Sequence, residues 1–308
     1  MWDMWRVDDT KHRQTDGQEA VGVFMVWYRH QREACPPRPS MSQLRVRVSS
    51  GQTGVVVVRT LFEGQMIHYH GVPISGPQAG LIPFAKGRHL FVSFALPSDL
   101  PIVAETARTF ALDCGAYTHW KKGGSVNIDE YCQWVQEWHA HPGFDWAVIP
   151  DIIEGSEADN DYALKWWPFT TGVPVWHLNE SMGRLIRLAY SYPLVAFGST
   201  SEHPIKSAGW WARMADAWDL IAEKGRPICK VHGLRMLDPE IVKAFPFSSC
   251  DSTNAVRNAG YETRWGGPYK PPSAALRAEV IATRIEMVQS AQYWHGMPKQ
   301  LGLFEEGA

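Results

Sequence analysis

The chain has 308 residues, of which 45% are hydrophobic and 20% charged, and its formal net charge is −2 at pH 7. This composition is ordinary for a globular protein and excludes a broad basic surface, so any contact with nucleic acid depends on a local patch. Five cysteines without paired spacing argue against a zinc motif or a disulfide framework and indicate a reducing compartment. Because the sequence shows no signal-peptide pattern and no apolar run of membrane-spanning length, we expect a cytoplasmic protein without a membrane span.

The first 65 residues mix charged side chains with one short valine run and show no sustained periodicity. We therefore expect residues 1–65 to be a loosely ordered N-terminal extension and residues 66–300 to form the catalytic domain. The alternative is that the aromatic residues Trp2, Trp5 and Trp27 pack against that domain and belong to its fold.

From Met66 onward, short apolar runs alternate with amphipathic stretches, which is typical of β–α units. Eight strands are predicted, at Met66–Val72, His89–Leu96, Thr109–Tyr117, Trp146–Ile153, Val173–Asn179, Leu194–Ser199, Ile228–Leu234 and Phe247–Thr253. Helices are predicted at Ile128–His139, Ser181–Tyr190, Trp210–Glu223, Asp238–Ala244 and Ser273–Gln292. This alternation predicts an α/β fold, a (β/α)8 TIM-like barrel, with a doubly wound open sheet as the alternative.

The chain contains fifteen tryptophans, which is an unusually high number. Several fall in pairs or at helical spacing, such as Trp134 with Trp138, and Trp210 with Trp211 and Trp218. We expect these residues to pack helix faces against the sheet, and the alternative for one or two of them is stacking on nucleobases.

Nearly every predicted strand ends on a group that can form hydrogen bonds. Three of these groups are carboxylates, Asp113, Asp151 and Asp251. The loops after the strands build the active site of a barrel, and a carboxylate at the end of an apolar strand is costly unless it is paired or used. Together the three indicate a functional site, although each alone could be structural and Asp151 could cap a helix. The other strand-end groups are His68, His70, His177, Gly198, Ser199 and His232.

Two carboxylates that face one substrate suit a double displacement. One ionised Asp attacks a carbon that is electron-poor in an oxocarbenium-like transition state. The other, when protonated, gives its proton to the leaving group and takes one from the incoming group. Glycosyl transfer at C1′ of a nucleoside makes this demand.

Four strand-end segments are distinctive, and they lie at Leu112–Tyr117, Ile149–Asp151, Val231–Leu234 and Ser249–Asn254. In order and spacing they resemble the phage-type relatives of tRNA-guanine transglycosylase, a group that includes the deazapurine-in-DNA transglycosylases. The resemblance runs from about Met66 to Asn258. It implies a TIM barrel that exchanges guanine in a polynucleotide for a 7-deazaguanine base such as preQ0, without a cofactor.

The resemblance also implies roles for individual residues. Asp251 matches the nucleophile that holds the sugar intermediate, and Asp113 matches the acid/base. Asp151 matches the carboxylate that reads the amino and ring NH donors of the purine. Gly198, next to Ser199, aligns with a glycine stretch whose backbone hydrogen-bonds the base. His177 and His232 fall where other residues of the base pocket lie.

The sequence departs from the tRNA-acting enzymes at two points. Those enzymes carry a cysteine-rich zinc site after the nucleophile strand, whereas no cysteine follows Cys250 here. The segment after the nucleophile reads Ser252-Thr253-Asn254 in place of a Pro-Thr-Arg type. We therefore expect no bound metal, and DNA rather than tRNA as the nucleic-acid partner.

Two other functional classes remain open from the sequence. The first is a metal-dependent, amidohydrolase-like barrel, in which imidazoles and a carboxylate bind divalent metals that activate water. Its ligands would be His68, His70, His177, His232 and Asp251. The second is a base-binding subunit without catalysis, for which Asp151 and the tryptophans would matter and the other two aspartates would not.

Overall fold

The computed structural model describes residues 2–5, 26–29, 65–72, 80–153, 155–260 and 270–297, and the chain divides into units of residues 1–61 and 62–308. In the first unit, strand β1 (Trp2–Trp5) pairs antiparallel with β2 (Val26–Arg29). The sequence did not predict this pair. Almost all other residues of the expected extension, 1–65, lie outside the described residues, so its loose order stays a prediction, as does the alternative packing of its tryptophans.

The second unit is built on parallel strands. In chain order, its strands are β3 (Ile67–Gly71), β4 (His89–Ser93), β5 (Thr109–Asp113), β6 (Phe144–Val148), β7 (Gly172–Val173), β8 (Val175–His177), β9 (Leu194–Gly198), β10 (Ala222–Glu223), β11 (Arg226–Pro227), β12 (Lys230–Gly233) and β13 (Ser249–Ser252). Nine of them form one sheet in the order β7-β6-β5-β4-β3-β13-β12-β9-β8, and β10 pairs with β11 separately. All eight predicted strands are confirmed, one of them as the two segments β7 and β8.

The sheet is barrel-shaped and nearly closed, because its two edge segments are separated in sequence only by Pro174. The carbonyl of Val173 accepts a hydrogen bond from the backbone N–H of Ile149 at 2.9 Å, next to β6. The carbonyl of Pro174 accepts one from Ala196 of β9, also at 2.9 Å. Neighbouring strands follow chain order without reversal, so the doubly wound open sheet is wrong.

Helices follow most of the strands. They are α1 (Leu81–Ala85), α2 (Leu100–Thr106), α3 (Ala116–Lys121), α4 (Ile128–Trp138), α5 (Glu157–Trp166), α6 (Met182–Ser191), α7 (Ala208–Ile221), α8 (Pro239–Ala244), α9 (Asn254–Asn258) and α10 (Ala274–Glu286). All five predicted helices are confirmed, and Asn127, Ser181 and Asp238 accept backbone hydrogen bonds at the starts of three of them. None of the helices in the described residues has the length and hydropathy that a membrane span requires.

Several predicted elements end earlier than expected, among them the strands predicted over His89–Leu96 and Trp146–Ile153, which end at Ser93 and Val148. The strand predicted over Thr109–Tyr117 stops at Asp113, because Gly115 adopts a left-handed conformation with φ of 77° and turns the chain into α3. The last helix ends at Glu286, and the next residues bond to the sheet instead. The carbonyl of Val288 bonds to His68 at 2.7 Å, and the side chain of Gln289 accepts from the backbone of Met66 at 2.8 Å.

Four tryptophans of the described residues pack helices against the core. Trp210 and Trp218 of α7 are fully buried, and Trp134 and Trp138 of α4 are partly buried against the core. The packing interpretation is therefore confirmed for these residues. Trp166, at the end of α5, is 67% exposed and differs from them.

Candidate active site at the ends of the strands

Three aspartates lie together at the carboxyl ends of the strands. Asp113 is the last residue of β5, Asp251 lies in β13, and Asp151 follows β6. Burial and, to a smaller extent, the negative charges of Asp151 and Asp251 together raise the pKa of Asp113 to about 7, against the lowering effects of Ser93 and Arg235. Asp113 therefore lies within electrostatic range of both other carboxylates. Asp113 is therefore about half protonated near neutral pH.

Asp251 is buried, and its Oδ1 atom accepts two hydrogen bonds. The backbone N–H of Arg235 donates to Oδ1 over 2.8 Å, and Nε2 of His232 lies 3.3 Å from the same atom. Arg235 adopts a left-handed conformation with φ of 59°, which is uncommon for a residue other than glycine. This turn brings the N–H of Arg235 to the carboxylate, and no sequence pattern indicates it.

His232 was predicted in the base pocket, and the structure places it inside the sheet with no exposed surface. Its Nδ1 atom lies 2.8 Å from Oγ of Ser249, the residue opposite it on β13. Its ring packs edge-on against Trp146, with 4.8 Å between the ring centroids. Both ring nitrogens are therefore engaged by the protein, and contact with a base stays a prediction.

Asp151 and His177, both predicted to bind the base, form one ion pair. Nε2 of His177 lies 2.9 Å from Oδ2 of Asp151, and Sγ of Cys114 lies 3.3 Å from Oδ1. Burial alone would lower the pKa of His177, but Asp151 and Glu180 outweigh it and raise that pKa to about 9. His177 is thus an imidazolium at neutral pH. It holds one oxygen of Asp151 and leaves lone pairs on both oxygens that can accept from a ligand.

A buried hydrogen-bond network centred on Glu180 supports this ion pair on the side of His177. The carboxylate of Glu180 accepts from the backbone of His177 at 2.9 Å, from Asn160 at 2.8 Å and from Arg184 at 2.6 Å. Arg184 also pairs with Asp161 at 2.8 Å. The sequence analysis missed Glu180 and Arg184, although their i, i+4 spacing just after a strand end was visible.

The remaining predicted base-binding residues lie beside His177. A Cβ atom at Gly198 would stand 2.9 Å from Cδ2 of His177, so a side chain here would displace the imidazole. The carbonyl of Gly198 accepts from Leu178, and the hydroxyl of Ser199 accepts from the indole of Trp210 at 2.9 Å. Gly198 thus allows the ring to approach the strand, and base binding by Gly198 and Ser199 stays a prediction.

Asp151 was also considered as a helix cap, and this alternative is wrong. The next helix, α5, is capped by Ser156, whose hydroxyl accepts from the backbone of Asp159 at 3.2 Å. The carboxylate of Asp159 bonds back to the backbone of Ser156, also at 3.2 Å. Asp151 is therefore free of capping and belongs to the site.

Two basic side chains and one aromatic ring form a cluster beside the aspartates. The guanidinium of Arg235 lies 3.5 Å from the ring centroid of Tyr117, and the ammonium of Lys121 lies 4.8 Å from it. Lys121 and Arg235 both lower the pKa of Tyr117. Neither cation has an ion-pair partner within the described ranges. We call Arg235, Tyr117 and Lys121 the basic cluster.

The histidines that a metal hydrolase would need are not gathered in one place. His68 bonds to the carbonyl of Val288, and Nε2 of His70 lies 3.0 Å from the carboxylate of Glu286. His70 thus faces the end of the C-terminal helix and His68 faces the residues that follow it, rather than the aspartates. In the part of the chain that the structure describes, no three His, Cys, Asp or Glu side chains are placed to hold a metal ion. The four described cysteines are free thiols, and Cys35 lies outside the described residues.

The sequence matches no protein-family model and no curated protein. The chemistry of the site therefore follows from its own residues. One buried carboxylate is held at a single oxygen, a second is about half protonated at neutral pH, and a third is held by an imidazolium. Such a site can perform nucleophilic attack, proton transfer and recognition of hydrogen-bond donors.

Proposed function

We propose that the chain is a base-exchange transglycosylase that replaces guanine in a polynucleotide with a 7-deazaguanine base such as preQ0. We further propose that its fold is a (β/α)8 barrel, in which β7 and β8 count as one strand interrupted at Pro174. Eight strands then follow one another around the sheet in chain order. The substrate site would lie at their carboxyl ends, as is usual for this architecture.

One observation carries the proposal. A carboxyl with a pKa of about 7, Asp113, stands within electrostatic reach of a second carboxylate, Asp251. An acid/base operates best when its pKa lies near the working pH, and covalent glycosyl transfer pairs such a group with a carboxylate nucleophile. The surroundings of the two groups differ, which supports separate roles for them.

The reaction runs in two displacements. Asp251 attacks C1′ of the target nucleotide while the C1′–N9 bond breaks, and guanine leaves with that electron pair and takes up the proton of Asp113. The incoming 7-deazaguanine then gives its N9 proton to Asp113 and attacks C1′. The bond between Asp251 and C1′ breaks, and the carboxylate is restored. The sequence of steps balances without a redox change and calls for no cofactor.

Asp151 supports recognition of a guanine-type base. A carboxylate only accepts hydrogen bonds, and guanine and 7-deazaguanines both present an amino group and a ring NH on one edge. Nε2 of the positively charged His177 lies 2.9 Å from Oδ2 of Asp151 and holds the carboxyl group in one orientation. Gly198 lies next to His177, and we propose that its backbone and that of Ser199 contact the base.

The basic cluster supports a polynucleotide as the partner. A protein with a net charge of −2 needs a local patch to bind phosphates. Lys121 and Arg235, which have no ion-pair partner in the described part of the chain, provide one. We propose DNA as the substrate in preference to tRNA, because the segment after Asp251 lacks the zinc-site cysteines of the tRNA-acting enzymes. We also propose that the reaction takes place in the cytoplasm.

The experiment is incubation of the protein with guanine-containing DNA or tRNA and labelled 7-deazaguanines, followed by mass spectrometry of the nucleosides. We expect label in DNA and a covalent protein–DNA adduct when the reaction is stopped. Asp251→Asn should lose both while keeping its fold, since the change is nearly isosteric. Exchange by Asp251→Asn at the parent rate would refute the mechanism, and label in tRNA alone would refute the choice of DNA.

A further inference from the structure

His232 lies between two residues of the neighbouring strand that face the same side. It is opposite Ser249 on β13, and Asp251 follows two residues later. Its Nδ1 atom lies 2.8 Å from the hydroxyl of Ser249 and its Nε2 atom 3.3 Å from Oδ1 of Asp251. The imidazole therefore lies along β13 and joins the two side chains.

The ring has little freedom to move. Tyr69, Phe91 and Trp146 surround it, with ring centroids 5.8, 5.6 and 4.8 Å from that of the imidazole. No part of His232 is exposed. An imidazole that is packed on several sides and bonded at both nitrogens keeps one orientation.

The partners of the ring decide where its hydrogen lies. An ionised carboxylate can only accept, so Nε2 must donate its hydrogen to Asp251. The hydroxyl of Ser249 can donate or accept, and it therefore fits either state of Nδ1. Both nitrogens of His232 thus have protein partners in this structure.

The two oxygens of Asp251 consequently differ. Oδ1 receives the N–H of Arg235 and that of His232, whereas Oδ2 has no hydrogen-bond partner among the described residues. We propose that His232 is a positioning residue, which fixes Oδ1 together with Arg235 and so presents Oδ2 as the atom that attacks C1′. This inference rests on the proposed function for the attack itself, and the hydrogen bond can be measured without it.

The kinetic test compares two substitutions. His232→Gln keeps an N–H donor on a side chain of similar reach, whereas His232→Ala removes the donor. We expect His232→Ala to slow formation of the covalent adduct by about 10- to 100-fold, the usual effect of losing a hydrogen bond to a charged group, with KM for the base unchanged. His232→Gln should recover most of that rate. A raised KM with an unchanged rate would overturn the inference, because it would place His232 against the base.

The second test measures the imidazole directly in the free protein by ¹⁵N NMR of the histidine ring. We expect a hydrogen on Nε2, whose signal shifts in Asp251→Asn and persists in Ser249→Ala. His68→Gln, a change of a buried histidine on β3 that bonds to the carbonyl of Val288, is the matched control and should leave the signal unchanged. A bare Nε2 in the parent would overturn the inference even if exchange occurs. A hydrogen on Nε2 without any exchange activity would refute the proposed function and leave the hydrogen bond established.

Discussion

Replacing Asp113 with Asn should make the protein more stable, by an amount that depends on pH. The pKa of this carboxyl rises from 3.8 to about 7 on folding, because burial and the nearby Asp151 and Asp251 disfavour its charge. The folded protein therefore holds this proton more tightly than the unfolded chain does. Stability falls as pH rises from about 4 to about 7, and the full cost is present above that. The difference corresponds to about 4 kcal/mol.

Urea denaturation of the parent and Asp113→Asn at two pH values measures this effect. We expect Asp113→Asn to be more stable by up to about 4 kcal/mol at pH 8.5 and by less than half of that at pH 5. Asp216→Asn alters an exposed aspartate of α7 and should change stability by no more than about 0.5 kcal/mol at either pH. Asp113→Asn should also lose exchange activity, because it has no proton to give. A variant that is less stable than the parent at pH 8.5, or equally changed at both pH values, would show that Asp113 is not held in an unfavourable charge state.

Three further predictions concern the neighbouring groups. Asp151→Asn should weaken the binding of guanine-type bases relative to that of xanthine-like bases, since an amide offers a donor as well as an acceptor. An unchanged base preference in competition assays would show that Asp151 does not recognise the base. The parent should contain no stoichiometric zinc by elemental analysis and keep its activity after chelation, whereas loss of both metal and activity in His70→Ala would favour the hydrolase. Arg235→Gln and Lys121→Gln should each reduce the slope of log Kd against log salt concentration for oligonucleotide binding by the amount of about one phosphate contact, as measured by fluorescence anisotropy. Lys243→Gln, in the last turn of α8, is the control and should leave the slope unchanged. Equal slopes in all four proteins would show that the basic cluster does not contact nucleic acid.

The strands and the aspartates at their ends were predictable from local sequence. Short apolar runs that lead into a polar residue indicate a buried strand with that residue near its end, and Asp113 and Asp251 were found in this way, although the exact strand ends were not. Helix starts were predictable for the same reason, because a cap such as Asn127 or Ser181 acts within one turn.

The direction of side chains across the sheet was not predictable. In β3, His68 and His70 alternate with Tyr69, so the histidines must share one face, but the sequence does not say which face is inside. The structure puts Tyr69 inside and both histidines against the C-terminal residues, more than 200 positions away. Those contacts depend on residues distant in the chain, and they direct two of the five ligands of the metal hypothesis away from the aspartates.

The left-handed turn at Arg235 was also not predictable from the sequence. A glycine would have indicated such a conformation, and arginine does not. The turn matters because it supplies a hydrogen bond to Asp251 from the backbone and carries the guanidinium to Tyr117. One residue thus contributes to the carboxylate and to the basic cluster, and neither contribution follows from residue type or spacing.

The interruption at Pro174 has a consequence for how the barrel-shaped sheet opens. On each side of this proline the chain pairs with a different neighbour, so each half is held in the described residues by a single ladder. Amide hydrogens at this seam should exchange with solvent before those of β4 and β5, which pair on both sides. Asp151 follows the strand on one side of the seam and His177 ends the segment on the other, so their ion pair spans it. A ligand held by Asp151 would therefore slow exchange at the seam, and local opening there would release it.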